Sequence, residues 1–291
     1  MRVVIIGHTS MLGSRLSKLL QKKGHKVITC GRDISSDIQL DLRSGFTRGI
    51  PSGIKADAVY HCAAAFGDDS PEGSRFNDLV NAHSCYWIIE MCMAIDCRHL
   101  VYAGSTSSYV DPETYYISSY GFSKARAEDI LHWGLSRVGI GFASLRFSQL
   151  YDENGECCRH QQWFGRIIAY ASSGKLLRMP RSNGTRNFIH VDDAALMMQA
   201  ALENRVIGCL GLSHPESLTY KDIAAKAFEI FASKGNFIEV PGKTPFRKVY
   251  FPDSMESFAK LNCWPSINMN DGINMIKRAG TANKYGPMDV S

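Results

Sequence analysis

Apolar positions along the first thirty residues alternate between strand and helix character. "RVVIIG" is a run of β-branched residues without alternation, the pattern of a strand buried on both faces, and it ends at Gly7. In "HTSMLGSRLSKLLQKKG", Met11, Leu12, Leu16, Leu19 and Leu20 recur at helical spacing until Gly24 stops the run. "HKVITCG" returns to strand character. Strand, glycine turn, helix and strand in that order open a dinucleotide-binding fold. Further on, "ADAVYHCAAAF" predicts a third buried strand running into small residues, and "NDLVNAHSCYWIIEMCMAI" predicts a helix. "CRHLVYAGSTSSYV" predicts a strand over residues 100–103 that ends at Gly104 and Ser105. "SSYGFSKARAEDILHW" predicts a helix with a serine cap.

The pattern continues past the middle of the chain. Gly155 marks a loop, and an amphipathic helix starts at Gln161 and runs to about residue 172. In that helix Trp163 and Phe164 suit core packing better than base stacking. "NFIHVDDAALMMQAALEN" reads as a strand and then a helix that Asp192 or Asp193 can cap. "VIGCLGL" gives another strand, and "SLT" caps a helix from Tyr220. No internal repeat is visible.

Composition narrows the class. The 291 residues are 45% hydrophobic, enough for one large core or two modest domains. Net charge is +5, but the basic residues are scattered, and "QKKGHK" reads as a solvated helix end. That distribution favours no nucleic-acid partner and is compatible with an anionic small molecule. The nine cysteines include no CxxC pair. They predict free thiols in a reducing, cytoplasmic setting and no metal centre. The apolar N-terminus is too short for a signal peptide or a spanning helix, so no membrane role is expected.

Several residues carry chemistry. Gly7 permits the tight turn after the first strand, and Gly13 permits close packing of the helix on the sheet. Helix-start N–H groups between them, around Ser10 and Met11, can take a pyrophosphate. A βαβ unit with no nucleotide would look similar. Arg32, after the second strand, can accept a 2′-phosphate, which predicts NADP with NAD as the alternative; it can equally face water. Asp41 can meet an adenine edge or serve as a cap. Ala63, Ala64 and Ala65 leave room for a ligand at the carboxyl edge of the sheet. His61 reads as a core histidine.

Ser105 falls at the carboxyl end of a parallel strand, where ligands bind in such sheets. Tyr120 and Lys124 lie four apart and share a helix face. An ammonium beside a phenol favours the phenolate and lowers its pKa. Ser105, Tyr120 and Lys124 together form a proton relay suited to a site beside a nicotinamide.

These segments, with "GHTSMLG", "DAVYHCAAA", "VNAHS", "AGSTSSY", "YGFSK", "SLRF" and "TRNFIHVDDAALMMQAAL", resemble the extended short-chain dehydrogenase/reductase family, also called the NAD-dependent epimerase/dehydratase family. The resemblance covers nearly the whole chain. It implies an α/β Rossmann-type, doubly wound parallel sheet with a smaller carboxyl-side substrate domain. Residues 1–150 would form the dinucleotide-binding core, residues 187–212 would return to it, and residues 151–291 would mostly bind substrate. "PSINMNDGINMIKRAG" resembles the family's terminal helical segment.

The resemblance also implies roles. Tyr120 becomes the general acid/base and Lys124 the ligand of the nicotinamide ribose. Ser105 positions the reacting oxygen, with Thr106 beside it. Gly7, Ser10, Met11 and Gly13 form the pyrophosphate turn, with serine replacing the usual middle glycine. Arg186 contacts the diphosphate of a nucleotide-linked sugar, while Arg178 and Arg181 flank the same turn-rich stretch. The expected assembly is a homodimer through core helices. Thr106 and Ser107 stand where 4,6-dehydratases carry an acid pair, which disfavours dehydration. Arg32, "MLG" and "GRDISSDIQLDL" resemble the dTDP-4-dehydrorhamnose reductase branch and favour a 4-ketoreductase of a nucleotide-linked deoxysugar. "RNFIHVDDAA" is more typical of epimerases, so an NAD-dependent epimerase is the alternative.

Overall fold

The computed structural model describes residues 1–181, 184–243, 246 and 249–288. The turn at Ser182 and Asn183 lies outside them. The first strand, β1 (Arg2–Ile6), is buried from Val3 onward and is the centre about which the sheet grows. It pairs in parallel with β2 (Lys26–Gly31) on one side and β5 (Ala58–His61) on the other. Beyond β2 come β3 (Ile38–Asp41) and a short antiparallel strand, β4 (Gly45–Phe46). Beyond β5 come β6 (His99–Ser105), β7 (Gly141–Phe147) and β11 (Gly208–Leu212), all parallel. The strand order β11-β7-β6-β5-β1-β2-β3-β4 reverses direction of growth at β1/β5, the switch point of a doubly wound sheet.

Helix α1 (Met11–Lys22) buries Leu12, Gly13, Leu16 and Leu20, the stripe that its periodicity predicts. Its cap is Ser10, whose Oγ accepts from Gly13 N at 3.1 Å. The helix expected over "NDLVNAHSCYWIIEMCMAI" starts earlier and has three parts. Ser70 caps α2 (Pro71–Asn77), with proline at its start. A π-helical turn, Asp78–His83, follows, and then α3 (Cys85–Ala94). Helix α4 (Ser119–Ser136) carries Tyr120 and Lys124.

The chain divides into two units. The first comprises Met1–Phe147, Ala194–Leu212 and Pro252–Trp264, including most of α6 (Val191–Glu203) and the short α8 (Met255–Leu261). The second comprises Ser148–Asp193, Ser213–Phe251 and Pro265–Ser291. Within it β10 (Thr185–His190) pairs in parallel with β8 (Gln149–Tyr151) and antiparallel with β12 (Ser217–Thr219). β9 (Leu177–Met179) pairs with β13 (Phe237–Glu239). Its helices are α5 (Gln162–Ser173), α7 (Tyr220–Phe231) and α9 (Met269–Ala279). Thr219 and Asp222 close a reciprocal capping box on α7. Asp192 and Asp193, the expected candidates for the cap of α6, both lie inside its first turn, and Asp193 accepts from Ser266 N, Ser266 Oγ and Ile267 N at 2.9–3.0 Å. Tyr151, Phe164, Phe188 and Tyr285 form the aromatic centre of this unit.

Close approach of backbone fixes α1 on the sheet. Gly7 has φ +77°, and a Cβ there would sit 2.7 Å from the Ala63 Cβ. A Cβ on Gly13 would run into the Gly7 carbonyl oxygen. Gly13→Ala gains about 1 kcal/mol of helix propensity. Overpacking against backbone that cannot give costs about 1–3 kcal/mol, so the net effect is destabilising. Denaturant unfolding of Gly13→Ala is expected to show a lower midpoint than the parent; an equal or higher midpoint would contradict this account of the packing.

Candidate active site

Ser105 is the last residue of β6, and the chain turns there into the single helical turn Thr106–Ser108. Ser105 Oγ accepts from Ser107 N at 3.1 Å, which starts the turn. Thr106 is buried, and its carbonyl accepts from Tyr109 N at 3.0 Å. Ser118 caps α4 by accepting from Gly121 N at 3.1 Å. A Cβ on Gly121 would run into the Ser107 carbonyl, so glycine lets the start of α4 press against the end of β6. The result brings the Ser105 side chain and the Tyr120 phenol together at the carboxyl end of β6. Burial of the phenolic oxygen raises the Tyr120 pKa above the ordinary tyrosine value, and the nearby Ser105 side chain partly opposes the rise.

Lys124 is 1% exposed. Its Nζ donates to Ala103 O at 2.7 Å and lies 4.0 Å from the centre of the Tyr102 ring. Burial pushes its pKa down to about 8, and Glu128 is the first of the groups that hold it up. This corrects the expectation that Lys124 makes the Tyr120 phenol acidic. The ammonium donates one N–H to the β6 carbonyl beside the Tyr102 face, and the group that lowers the phenol is Ser105.

Glu128, one turn beyond Lys124, is itself buried. It accepts from Ser144 Oγ at 2.5 Å and is paired side-on with Arg146, Nε to Oε2 at 3.0 Å and Nη2 to Oε2 at 2.5 Å. Arg146 also lies over the Tyr109 ring at 4.6 Å. Sequence reading passed over Glu128, although its spacing of four from Lys124 puts both on one face. In the loop after β5, beyond the three alanines, Phe66 stacks on Tyr120 with ring centres 4.7 Å apart and an angle of 19°. Asn81 holds both backbone groups of Ala65.

The glycine turn also suits a dinucleotide. The Ser10 hydroxyl serves α1 as its cap and reaches Cys62 O at 3.3 Å. Met11 is the first helical residue, and no acidic side chain occupies the first turn, so the positive end of the helix stays available to a phosphate. Ala63 and Ala64 are half-buried and Ala65 is buried beside this turn. Asp41 is engaged by Arg43, with Nη2 to Oδ2 at 2.6 Å, and stands below the usual carboxylate range because of that pairing. His61 is buried and pushed down to about 3 by that burial, which keeps it neutral.

In the second unit Arg186 is buried and donates to Thr185 O at 2.8 Å. Its guanidinium lies 5.1 Å from the Tyr220 ring and 5.8 Å from the Phe246 ring. Arg178 and Arg181 are exposed. Phe164 is fully buried, whereas Trp163 is half-buried and meets Phe246 edge-on at 4.8 Å. Among the described residues one trio brings metal-ligand atoms within 4.8 Å of each other: Glu153, His190 and Asp192. His190 Nδ1 already accepts from Asp192 N at 3.3 Å, which leaves Nε2 to face the Glu153 carboxylate at 3.6 Å as an N–H. No described helix is long and apolar enough to cross a membrane.

Comparison with known proteins extends these observations. A curated relative, a 3-diazoavenalumate denitrifying reductase of Streptomyces sp, is 25% identical over 242 residues, 74% of this chain and 77% of the relative. Among solved structures, UDP-N-acetylglucosamine 4-epimerase from Bacillus cereus has 22% identity and a TM-score of 0.78, covering 96% of this chain and 99% of that one. UDP-glucuronic acid 4-epimerase from Bacillus cereus, in complex with UDP-glucuronic acid and NAD, has 20% identity and a TM-score of 0.75, covering 96% and 100%. These structural likenesses establish the fold.

They also overturn the expectation of NADP, because the similar structures that name a dinucleotide hold NAD. Local chemistry explains the misreading. Arg32 is exposed, and beside it Asp33 carries a carboxylate held below its usual range by hydrogen bonds from Ser35. An acid after the second strand accepts from a ribose 2′-hydroxyl and repels a 2′-phosphate. The description NAD dependent epimerase/dehydratase family matches residues 3–208, and with this sheet and this glycine turn the chain belongs to that family.

Proposed function

We propose that the protein is an NAD-dependent 4-epimerase of a UDP-linked sugar, working through Ser105, Tyr120 and Lys124. The observation that carries this reading is Ser105 at the carboxyl end of the central parallel strand β6, with α4 pressed against that end and carrying Tyr120 and the buried Lys124. UDP-sugar 4-epimerases recur among the solved structures of this fold. Gly7, Met11 and Gly13 hold the pyrophosphate of NAD, and Asp33 holds a ribose hydroxyl. When bound, NAD supplies the acceptor and later the donor of a hydride. In its phenolate form Tyr120 takes the proton from the sugar hydroxyl, and as the resulting phenol it later returns it, with Ser105 holding the same oxygen in place. Lys124 presents an ammonium to the nicotinamide ribose. Arg186 addresses the diphosphate, with Thr106 on the rim of the sugar position.

A net ketoreductase is the second reading, and the relative named as a reductase favours it. The protein works as a homodimer through α3, α4 and the π-helical turn. Leu79, Tyr86, Phe122 and Trp133 on those elements are 39–58% exposed and apolar. Sedimentation at micromolar concentration is expected to give twice the 32.3 kDa chain mass; a single-chain mass would remove the dimer.

Incubation with UDP-glucose, UDP-N-acetylglucosamine or UDP-glucuronic acid and NAD is expected to yield the C4 isomer with no net change in cofactor. Net oxidation of added NADH would instead favour the reductase. Tyr120→Phe is expected to lower turnover by about 10²–10⁴-fold, the range for loss of a general acid/base, while NAD binding stays within about twofold. Turnover retained in that variant would sink the assignment of Tyr120.

The pH dependence has a definite sign. Lys124, held at about 8, is an ammonium below that pH and loses its proton as pH rises through it. NAD affinity should therefore fall across that range. Glu128 opposes the loss, so Glu128→Gln should bring the fall to lower pH, and the unpaired Arg146 pushes in the same direction. Titrating NAD binding against pH by fluorescence checks this; a midpoint unmoved or moved upward contradicts it.

A further inference from the structure

Phe66 sits in a segment that is fixed on both sides. Asn81 holds Ala65: Ala65 N donates to Oδ1 at 2.7 Å, and Nδ2 donates to Ala65 O at 3.0 Å. Asn77 holds Gly67 in the same way, Gly67 N to Oδ1 at 2.6 Å and Nδ2 to Gly67 O at 3.0 Å. The second Nδ2 donor of each asparagine reaches α4, to Ser119 Oγ from Asn77 and to Ser123 Oγ from Asn81, both at 3.0 Å. Those two serines bracket Tyr120. Asp69 adds a further tie, accepting from Ser119 N at 2.7 Å.

Burying two side-chain amides is unfavourable unless each is satisfied, and here both are spent on the three residues 65–67 and on the helix that carries Tyr120. Packing alone would not require this, because Phe66 is 49% exposed. What the two clamps do fix is the position of the Phe66 ring, laid nearly parallel on the Tyr120 ring.

We propose that Phe66 is a positioning residue for Tyr120, an aromatic cover that holds the phenol toward Ser105 and keeps water from one face of its ring. The proposal rests on the reading of Tyr120 as the acid/base. The titratable group coupled to the phenol is Tyr102 from β6; on α4 itself Lys124 and Glu128 follow one and two turns on, and Asp69, before α2, accepts from Ser119 N next to Tyr120. None of them is altered by a change at Phe66. Burial raises the phenol, so removing the cover lets it ionise at lower pH.

The test compares phenolate absorbance against pH in six proteins: the parent, Phe66→Ala and Phe66→Tyr, each with and without Tyr120→Phe. Subtracting each Tyr120→Phe background isolates Tyr120 from the other tyrosines. Phe66→Ala is expected to ionise this phenol at lower pH than the parent and Phe66→Tyr to restore it. Circular dichroism and NAD binding check that each variant is folded. With an active sugar nucleotide, kcat should fall about tenfold, the equivalent of one aromatic stacking contact, with KM changed much less. An unshifted phenol titration in folded Phe66→Ala overturns the proposal. Retained turnover in Tyr120→Phe would overturn the enzymatic reading instead, and the titration would still report whether Phe66 covers the phenol.

Discussion

A lysine ammonium with almost no solvent contact is the constraint around which the first unit is arranged. A charge in that position must be met by dipoles or opposite charge, or it is given up as a proton. Here the Ala103 carbonyl, the Tyr102 face and Glu128 meet it. The β6 strand must therefore present Ala103 and Tyr102 to α4, and α4 must lie close enough for Gly121 to be required. The same closeness brings Tyr120 to Ser105. Glu128 in turn needs Ser144 and Arg146 from β7, so the charge beneath the candidate site ties one helix to two neighbouring strands. Severing one partner of such a chain leaves a buried charge unmatched, which costs more than the intact pair contributes.

The loops at the carboxyl edge follow a related logic. Each of the turns after β1 and β5 carries small residues where the other approaches, as Gly7 does against Ala63. A segment that makes no regular ladder must still satisfy its peptide groups. Asn77 and Asn81 do so for residues 65 and 67, and the π-helical turn between α2 and α3 is where Asn81 sits. π-helical turns concentrate at functional sites, and this one lies beside the candidate catalytic helix.

What could be read from the sequence was local. β-branched runs, a glycine turn followed by a 3.6 period, and serine caps identify β1, α1, β2, β5, β6 and α4, because each signal lies within a dozen residues. The spacing of Tyr120 and Lys124 puts them on one helix face without further information. Less legible were features that depend on register or on distant partners. A π-helical turn leaves no mark in the apolar period, so the helix expected from Asn77 ran through it into α3, while α2, signalled by Ser70 and Pro71, was missed. Asp193 looked like a cap because its partners, Ser266 and Ile267, lie more than seventy residues away. Phe66 followed three alanines and gave no hint that two asparagines, 11 and 15 positions on, would hold its neighbours. The arginine chosen for cofactor selection has an acid, Asp33, directly beside it. Which of two consecutive side chains at a strand end faces a ligand is set by the twist and pairing of that strand, and neither is written in composition.

The two-residue strand β4 closes one side of the large sheet. It runs antiparallel to β3, and Gly45 holds φ +91° where a Cβ would meet Trp87 at 3.0 Å. An edge this short, folded back and covered by an indole from α3, exposes too few unpaired amide groups to template a further strand. The fold thereby guards its own border against fibrillar growth, and a side chain at Gly45 would weaken that guard before it disturbed any catalytic group.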